Sequence, residues 1–178
     1  MKTHLFPALK LTVLCILFFA VIYPALIWVI GLVSVNGGKG DYENIGQKFT
    51  EDRYFCSRPS AADYNASASC GSNKGPDNPD YLALVQARRD TFLAHNPGIN
   101  RSAIPVDIIT ASGSGLDPHI SIQAAMVQVD RIASVRKLDG KELQVLVHQY
   151  TEFPLWGMFG PARVHVLKLN KALDDLSK

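Results

Sequence analysis

The 178 residues carry 18 Lys and Arg against 16 Asp and Glu, a formal net charge of +2, and 47% of them are hydrophobic. That balance leaves material for one ordinary domain beside an apolar segment, and it lacks the basic stripe of a nucleic-acid surface. The three cysteines, with no Cys-x-x-Cys or His-x-x-x-His spacing, are too few ligands for a structural zinc site.

The first predicted element is a membrane helix over residues 11–35. A charge-free run extends from Leu11 to Gly38, with Lys10 before it and Lys39 after it, and sixteen Leu, Ile, Val and Phe lie between Leu11 and Val35. A hydrocarbon core of roughly 30 Å needs about 20 helical residues, and the run contributes about −5 to −10 kcal/mol towards insertion at most. A cleaved signal peptide is the rival, but its apolar region is shorter and ends in a small-x-small site, unlike Val33-Ser34-Val35-Asn36-Gly37-Gly38. Lys2 and Lys10 precede the helix and every acidic residue follows it. The positive-inside rule therefore predicts residues 1–10 in the cytoplasm and 39–178 as a periplasmic α/β domain, single-pass in the inner membrane. One helix without ionisable groups encloses no ion path. Pro24, Ala20, Ala25 and Gly31 read as features of a helix that packs against neighbours.

Residues 42–78, rich in Ser, Asn, Gly and aromatics, predict short strands and long loops ordered by Phe49, Tyr54, Phe55 and Tyr64. Asn78-Pro79 starts a helix, with Leu82, Val85, Phe92 and Leu93 on one face, and His95-Asn96-Pro97-Gly98 ends it. An apolar strand is predicted over Val106 to Thr110. From Ser121 a helix follows whose Ile122, Ala125, Met126, Val129, Ile132 and Ala133 form one buried stripe. Asp139 and Glu142 open a third helix bearing Leu143, Leu146, Val147 and Tyr150. Val164, Val166 and Leu169 predict a late strand, and Lys171 to Lys178 a short closing helix. The fold class is mixed α/β, one domain behind one transmembrane helix.

Between the apolar run at Val106 and the Ser121 helix lies Ala111-Ser-Gly-Ser-Gly-Leu-Asp-Pro-His-Ile-Ser121. It lacks the Lys-Ser/Thr ending of a P-loop and the third glycine of a dinucleotide fingerprint. Ser112 or Ser114 with Asp117 and His119 holds the residue types of a hydrolase triad, so a membrane-anchored envelope serine hydrolase is the alternative function, although Gly113-Ser114-Gly115 falls short of a nucleophile elbow. Locally, Asp117-Pro118 reads as a turn and Ser121 as a helix cap. Cys56 and Cys70 form an even pair in a disulfide-permissive compartment, and a bridge would close a loop worth about 3 kcal/mol.

Several segments together carry a resemblance: Gly46-Gln47-Lys48-Phe49, then Tyr54-Phe55-Cys56-Ser57-Arg58-Pro59-Ser60-Ala61, then Ser69-Cys70-Gly71-Ser72-Asn73. Thr110 to Ser121 follows, then Gln128-Val129 with Arg131, and finally Arg163-Val-His-Val-Leu-Lys-Leu-Asn170. Over almost its whole length the chain resembles the C subunits of Kdp potassium-transporting P-type ATPases. Cys70 stands where that family has the first glycine of Ser-Gly-Gly-Ser-Asn, and Cys56 where a large aromatic is expected.

The resemblance implies a non-catalytic accessory subunit of an ATP-driven potassium uptake complex. Its implied partners are a channel-like potassium-binding subunit, a P-type ATP-hydrolysing subunit and a small membrane peptide. It further implies a catalytic chaperone that raises the ATP affinity of the hydrolysing subunit, with Ser69, Gly71, Ser72 and Asn73 as the nucleotide-contacting segment and ATP used by the complex rather than held as a cofactor here. No metal is implied. The chain has no Asp-Lys-Thr-Gly phosphorylation sequence and no Thr-Val-Gly-Tyr-Gly filter. Ser112, Gly113, Ser114, Gly115, Asp117 and His119 become the residues expected to meet a partner.

Overall fold

Helix α1 spans Lys2–Ile16, a π-helical stretch Leu17–Ile22 follows, and α2 spans Tyr23–Val33. The widened turns have a local cause. Pro24 has no N–H and its ring would collide with the carbonyl four residues back, and here Tyr23 N–H reaches Phe18 O instead, an i to i−5 bond. Within His4–Val33 an 18-residue window has a mean hydropathy of 2.8, and this is the one helix, among the described residues, long and apolar enough to cross a membrane. The computed structural model describes residues 2–33 and 42–176. The predicted end of the membrane helix at Val35 and the last two residues of the closing helix lie outside them.

The second unit begins at Tyr42. It holds α3 (Pro79–His95), α4 (Ile122–Met126), α5 (Val129–Arg136), α6 (Gly140–Gln149) and α7 (Val166–Leu176). A three-stranded antiparallel sheet, in the order β1-β3-β2, is made from β1 (His119–Ile120), β2 (Thr151–Glu152) and β3 (Arg163–His165). Val164 pairs with both Ile120 and Thr151, while His165 pairs with His119 and Arg163 with Glu152. Successive strand residues alternate between faces. Ile120, Val164 and Thr151 are buried, and the core continues through Phe55, Ala124, Ala125, Val129, Ile132, Leu143, Val147, Val166, Leu169 and Leu173.

The caps form as their residue types dictate. Asn78 Oδ1 accepts from Tyr81 N–H at 3.1 Å, Ser121 Oγ from Ala124 N–H at 3.0 Å and Asp139 Oδ1 from Lys141 N–H at 3.0 Å. α3 buries only Phe92, and Leu82, expected on its covered face, is exposed.

Four sequence expectations are corrected. Residues 45–78 contain no strand, and the segment is ordered by side chains of the helices instead. Val106–Ile108 is a 3-10 turn rather than a strand. Pro105 precedes it at φ −65°, and the Asp107 carboxylate accepts from Ser121 N–H at 2.7 Å and Oγ–H at 3.1 Å, folding the segment onto the α4 cap. The helix from Ser121 breaks into α4 and α5 at Gln128, whose N–H bonds Ala125 O at 3.0 Å while its side chain turns inward. The strand containing Val164 stops at His165, because Val166, Leu169 and Leu173 follow helical spacing and Pro118, which accepts from Val166 N–H at 3.0 Å, has no N–H of its own to carry the ladder further. The closing helix thus starts five residues before Lys171.

Candidate functional site

The loop 112–119 is where three separate sequence segments meet. Gly46 N–H donates to Leu116 O at 2.7 Å, and a Cβ at Gly46 would lie 2.5 Å from Asp117 O, so only glycine permits that approach. The Arg58 guanidinium reaches Asp117 Oδ2 at 3.2 Å, and Ser60 Oγ–H donates to Gly115 O at 2.5 Å. Tyr64 O–H closes back onto Arg58 O. Burial pushes the Tyr64 phenol up to about 12, keeping the donor proton in place. Cys70 N–H and Ser69 Oγ–H both donate to Ser114 O, each at 3.0 Å, and a Cβ at Gly71 would lie 3.0 Å from Gly113 O.

The structure therefore brings together the two groups of residues singled out in the sequence. Ser69 and Gly71 lie against Gly113 and Ser114, Ser72 and Asn73 are exposed beside them, and Asn73 is left-handed at φ 51°. Cys56 and Cys70 are both free thiols, so the expected bridge is absent. Their surroundings explain it: Cys70 is tied to the Ser114 backbone and exposed, whereas Cys56 is held by Gln128 and lies 3.9 Å from Arg131 Nη2. Burial first, then the neighbouring Asp52 charge, pushes the Cys56 thiol up, with Arg131 opposing it.

The triad does not assemble. His119 Nδ1 faces Asp117 Oδ1 at 3.3 Å and its Nε2 faces Glu152 Oε2 at 3.4 Å, so carboxylates occupy both ring nitrogens. Ser114 Oγ accepts from Leu116 N–H and Ser112 is buried. A nucleophilic serine needs a base within hydrogen-bond reach, and neither serine has one. Among the described residues no group of three or more His, Cys, Asp and Glu is arranged to hold a metal ion.

Beside the loop lies an open cleft of 580 Å³, lined by Arg58, Asp107, Asp117, His119, Gln123 and Arg163 among others. Burial, then the Arg163 charge, pulls the His119 imidazole below its ordinary 6.5, against the opposing pull of Glu152 and Asp117. The folded state thus favours neutral His119, and its contribution to stability is complete above about pH 6.5 and is lost as pH falls through the lower folded value. His119→Gln is expected to flatten the fall in urea midpoint between about pH 7.5 and pH 5; parallel wild-type and variant curves would contradict that sign.

Sequence reasoning missed the side chains that hold the 52–56 segment. Asn170 Oδ1 accepts from Phe55 N–H at 2.9 Å and its Nδ2 donates to Phe55 O at 3.0 Å, completing the backbone pairing of a buried residue. Gln128 Oε1 accepts from Cys56 N–H at 2.7 Å. A signal was present: Gln128 and Asn170 are amides on otherwise apolar helical stripes, where burial demands partners.

The profile of the KdpC family, described as K+-transporting ATPase, c chain, matches residues 5–175. The chain is 51% identical to the potassium-transporting ATPase KdpC subunit of Flavobacterium johnsoniae, over 97% of this chain and 98% of that protein. It is 46% identical to the subunit of the same name from Bacteroides fragilis, over 99% and 98%. For that of Dechloromonas aromatica the figure is 44%, over the full length of both.

Proposed function

The chain belongs to the KdpC family, and from that premise we propose that it is the non-catalytic accessory subunit of an ATP-driven potassium uptake complex. The apolar helix fixes it in the inner membrane with the amino terminus in the cytoplasm, and the folded domain braces its partners from the periplasm. Those partners are a channel-like potassium-binding subunit, a P-type ATP-hydrolysing subunit and a small membrane peptide. One observation carries the reading. Loops 46–49, 58–64 and 69–71 are all spent on fixing the 112–119 loop, with no base aimed at either serine. Cross-bracing preorganises a functional loop of either kind, and with no base at either serine this one suits recognition rather than reaction.

Placement outside separates Ser69 to Asn73 from cytoplasmic ATP, so any rise in the ATP affinity of the hydrolysing subunit travels as coupling through the assembled complex. The test is to express the tagged full chain in cells that make the whole transporter. Retention of a P-type ATPase through purification is expected, and its absence would remove the assignment. In the same cells, carrying Cys15→Ser, an impermeant maleimide should label the exposed Cys70 without prior reduction. Labelling only after lysis would put the domain inside and restore direct ATP contact.

A further inference from the structure

The N-terminal apolar helix holds a backbone acceptor that the helix itself does not serve. From Leu17 to Ile22 its bonds run from residue i to i−5, and Tyr23 N–H donates to Phe18 O. A helical carbonyl takes its donor from three to five residues ahead, which for Phe19 means Ile22, Tyr23 or Pro24. In the widened register Ile22 serves Leu17 and Tyr23 serves Phe18, while Pro24 has no N–H to give. Phe19 O is left over.

No side chain of the same turn repairs this. Thr12 shows how one would, since its Oγ–H donates to Ala8 O, four residues back, at 3.0 Å. The residue four after Phe19 is Tyr23, whose hydroxyl stands at the far end of a rigid ring, and Leu17 to Ile22 are Leu, Phe, Ala, Val and Ile throughout. Phe19 follows Lys10 by nine residues, about 13 Å along the axis. In a hydrocarbon core of roughly 30 Å that depth is close to the middle. An unmet carbonyl there is far costlier than in water. A helix that served only as an anchor would be better with any other apolar residue at position 24.

We propose that Phe19 O accepts a hydrogen bond from a side-chain hydroxyl or amide on a neighbouring membrane helix of the same complex. The accessory-subunit reading, on which this rests, supplies the neighbour, and the depth of the acceptor selects the donor. Lipid N–H and O–H groups lie with the headgroups, about 13 Å away, and the acyl chains carry none. An ammonium or guanidinium would have to leave water for the bilayer centre, the costliest place for a charge. A second copy of this chain offers nothing at that level, because Val13 to Ile22 contain no hydroxyl, amide or indole. A neutral donor on a different helix remains, and the widened turn is its docking point on an otherwise apolar surface.

The test uses the full chain assembled with its complex in native membranes. A photo-crosslinking amino acid replaces Ala20, next to the free carbonyl, and the attachment point is mapped by mass spectrometry. The expected adduct joins one membrane helix of a partner subunit, with Ser, Thr, Asn or Gln within a turn of that point. Adducts with lipid alone, with a second copy of this chain, or with a helix lacking such a residue would overturn the proposal. Pro24→Ala restores an N–H to this turn and should lower retention of the chain in the purified complex about three-fold, although its resistance to carbonate extraction is unchanged. Replacing the mapped donor by an apolar residue of like size should lower retention as much in the wild-type chain, and no further in Pro24→Ala. Unchanged retention, additive losses, or a Pro24→Ala chain that carbonate extracts would each refute the bond. The wild-type chain is read in parallel, and its own failure to copurify with a P-type ATPase defeats the accessory-subunit assignment instead.

Discussion

Arg131→Ala is expected to cost about 3 kcal/mol or more of folding stability, read as a lower urea midpoint at unchanged slope. The Arg131 side chain is only 6% exposed, and its planar fork serves acceptors on three sides. Nε donates to Asn96 Oδ1 at 2.9 Å, at the end of α3. Nη2 donates to Tyr54 O at 3.1 Å and to Gln128 Oε1 at 2.9 Å, and Nη1 reaches Asp52 O. Truncation therefore strands acceptors belonging to three segments at once. Each buried one costs about 1–3 kcal/mol, reduced where water re-enters, as it can at the half-exposed Asp52. Arg131→Lys should recover only part of the loss, because a single ammonium cannot face three directions in one plane. Full recovery by lysine would show that charge alone matters at this position. Since Arg131 also holds the Cys56 thiol down, the alanine variant should make Cys56 still less reactive towards maleimide for as long as the fold persists.

Gly115→Ala is the second large effect, again about 3 kcal/mol. Gly115 sits at φ +68°, where a side chain costs about 1–2 kcal/mol. A Cβ there would also lie 2.7 Å from Cys70 O and 3.1 Å from Ala62 Cβ. Backbone must move to relieve that clash, and overpacking of this kind costs about 1–3 kcal/mol. The loss falls on the junction of the two loops, so Ser69 Oγ–H and Cys70 N–H are expected to lose their shared acceptor, Ser114 O, as it shifts. Gly113→Ala is the matched control. Nothing lies within 4 Å of a Cβ at Gly113, and its φ is not left-handed, so the midpoint should hold within about 0.5 kcal/mol. Should Gly113→Ala keep its midpoint yet lose the P-type ATPase on purification, the exposed side of this loop is the contact. Equal midpoints for the two variants would show that the glycine conformation does not constrain the junction.

What could be read from residues was whatever has a local cause. The N-terminal apolar helix is written in composition, because a charge-free run of that length is long enough to cross a bilayer. Asn78, Ser121 and Asp139 mark helix starts because a cap needs only a side-chain oxygen and a free N–H within the same turn. The segments that carried the family resemblance were visible as letters, and the structure gives several of them a common purpose around loop 112–119. The strand expected at Val106 and the strand expected at Val166 went wrong for the same reason. Short apolar runs fit either period, and distant groups decided between them, Asp107 with the Ser121 cap in one case and, in the other, Pro118, which has no N–H to extend the β1–β3 ladder past His165.

The sequence by itself thus determined the long apolar helix, the helix starts at Asn78, Ser121 and Asp139, the mixed α/β class and the family, since each depends on composition or on residues close along the chain. Only the tertiary structure decided that Cys56 and Cys70 face different neighbours, that His119 lies between two carboxylates instead of beside a serine, and that Phe153, Trp156 and Met158 stay exposed. Those outcomes depend on which segments, 45 to 122 residues apart, end in contact, and pairing at such separations is set by how the whole core packs rather than by any stretch read alone.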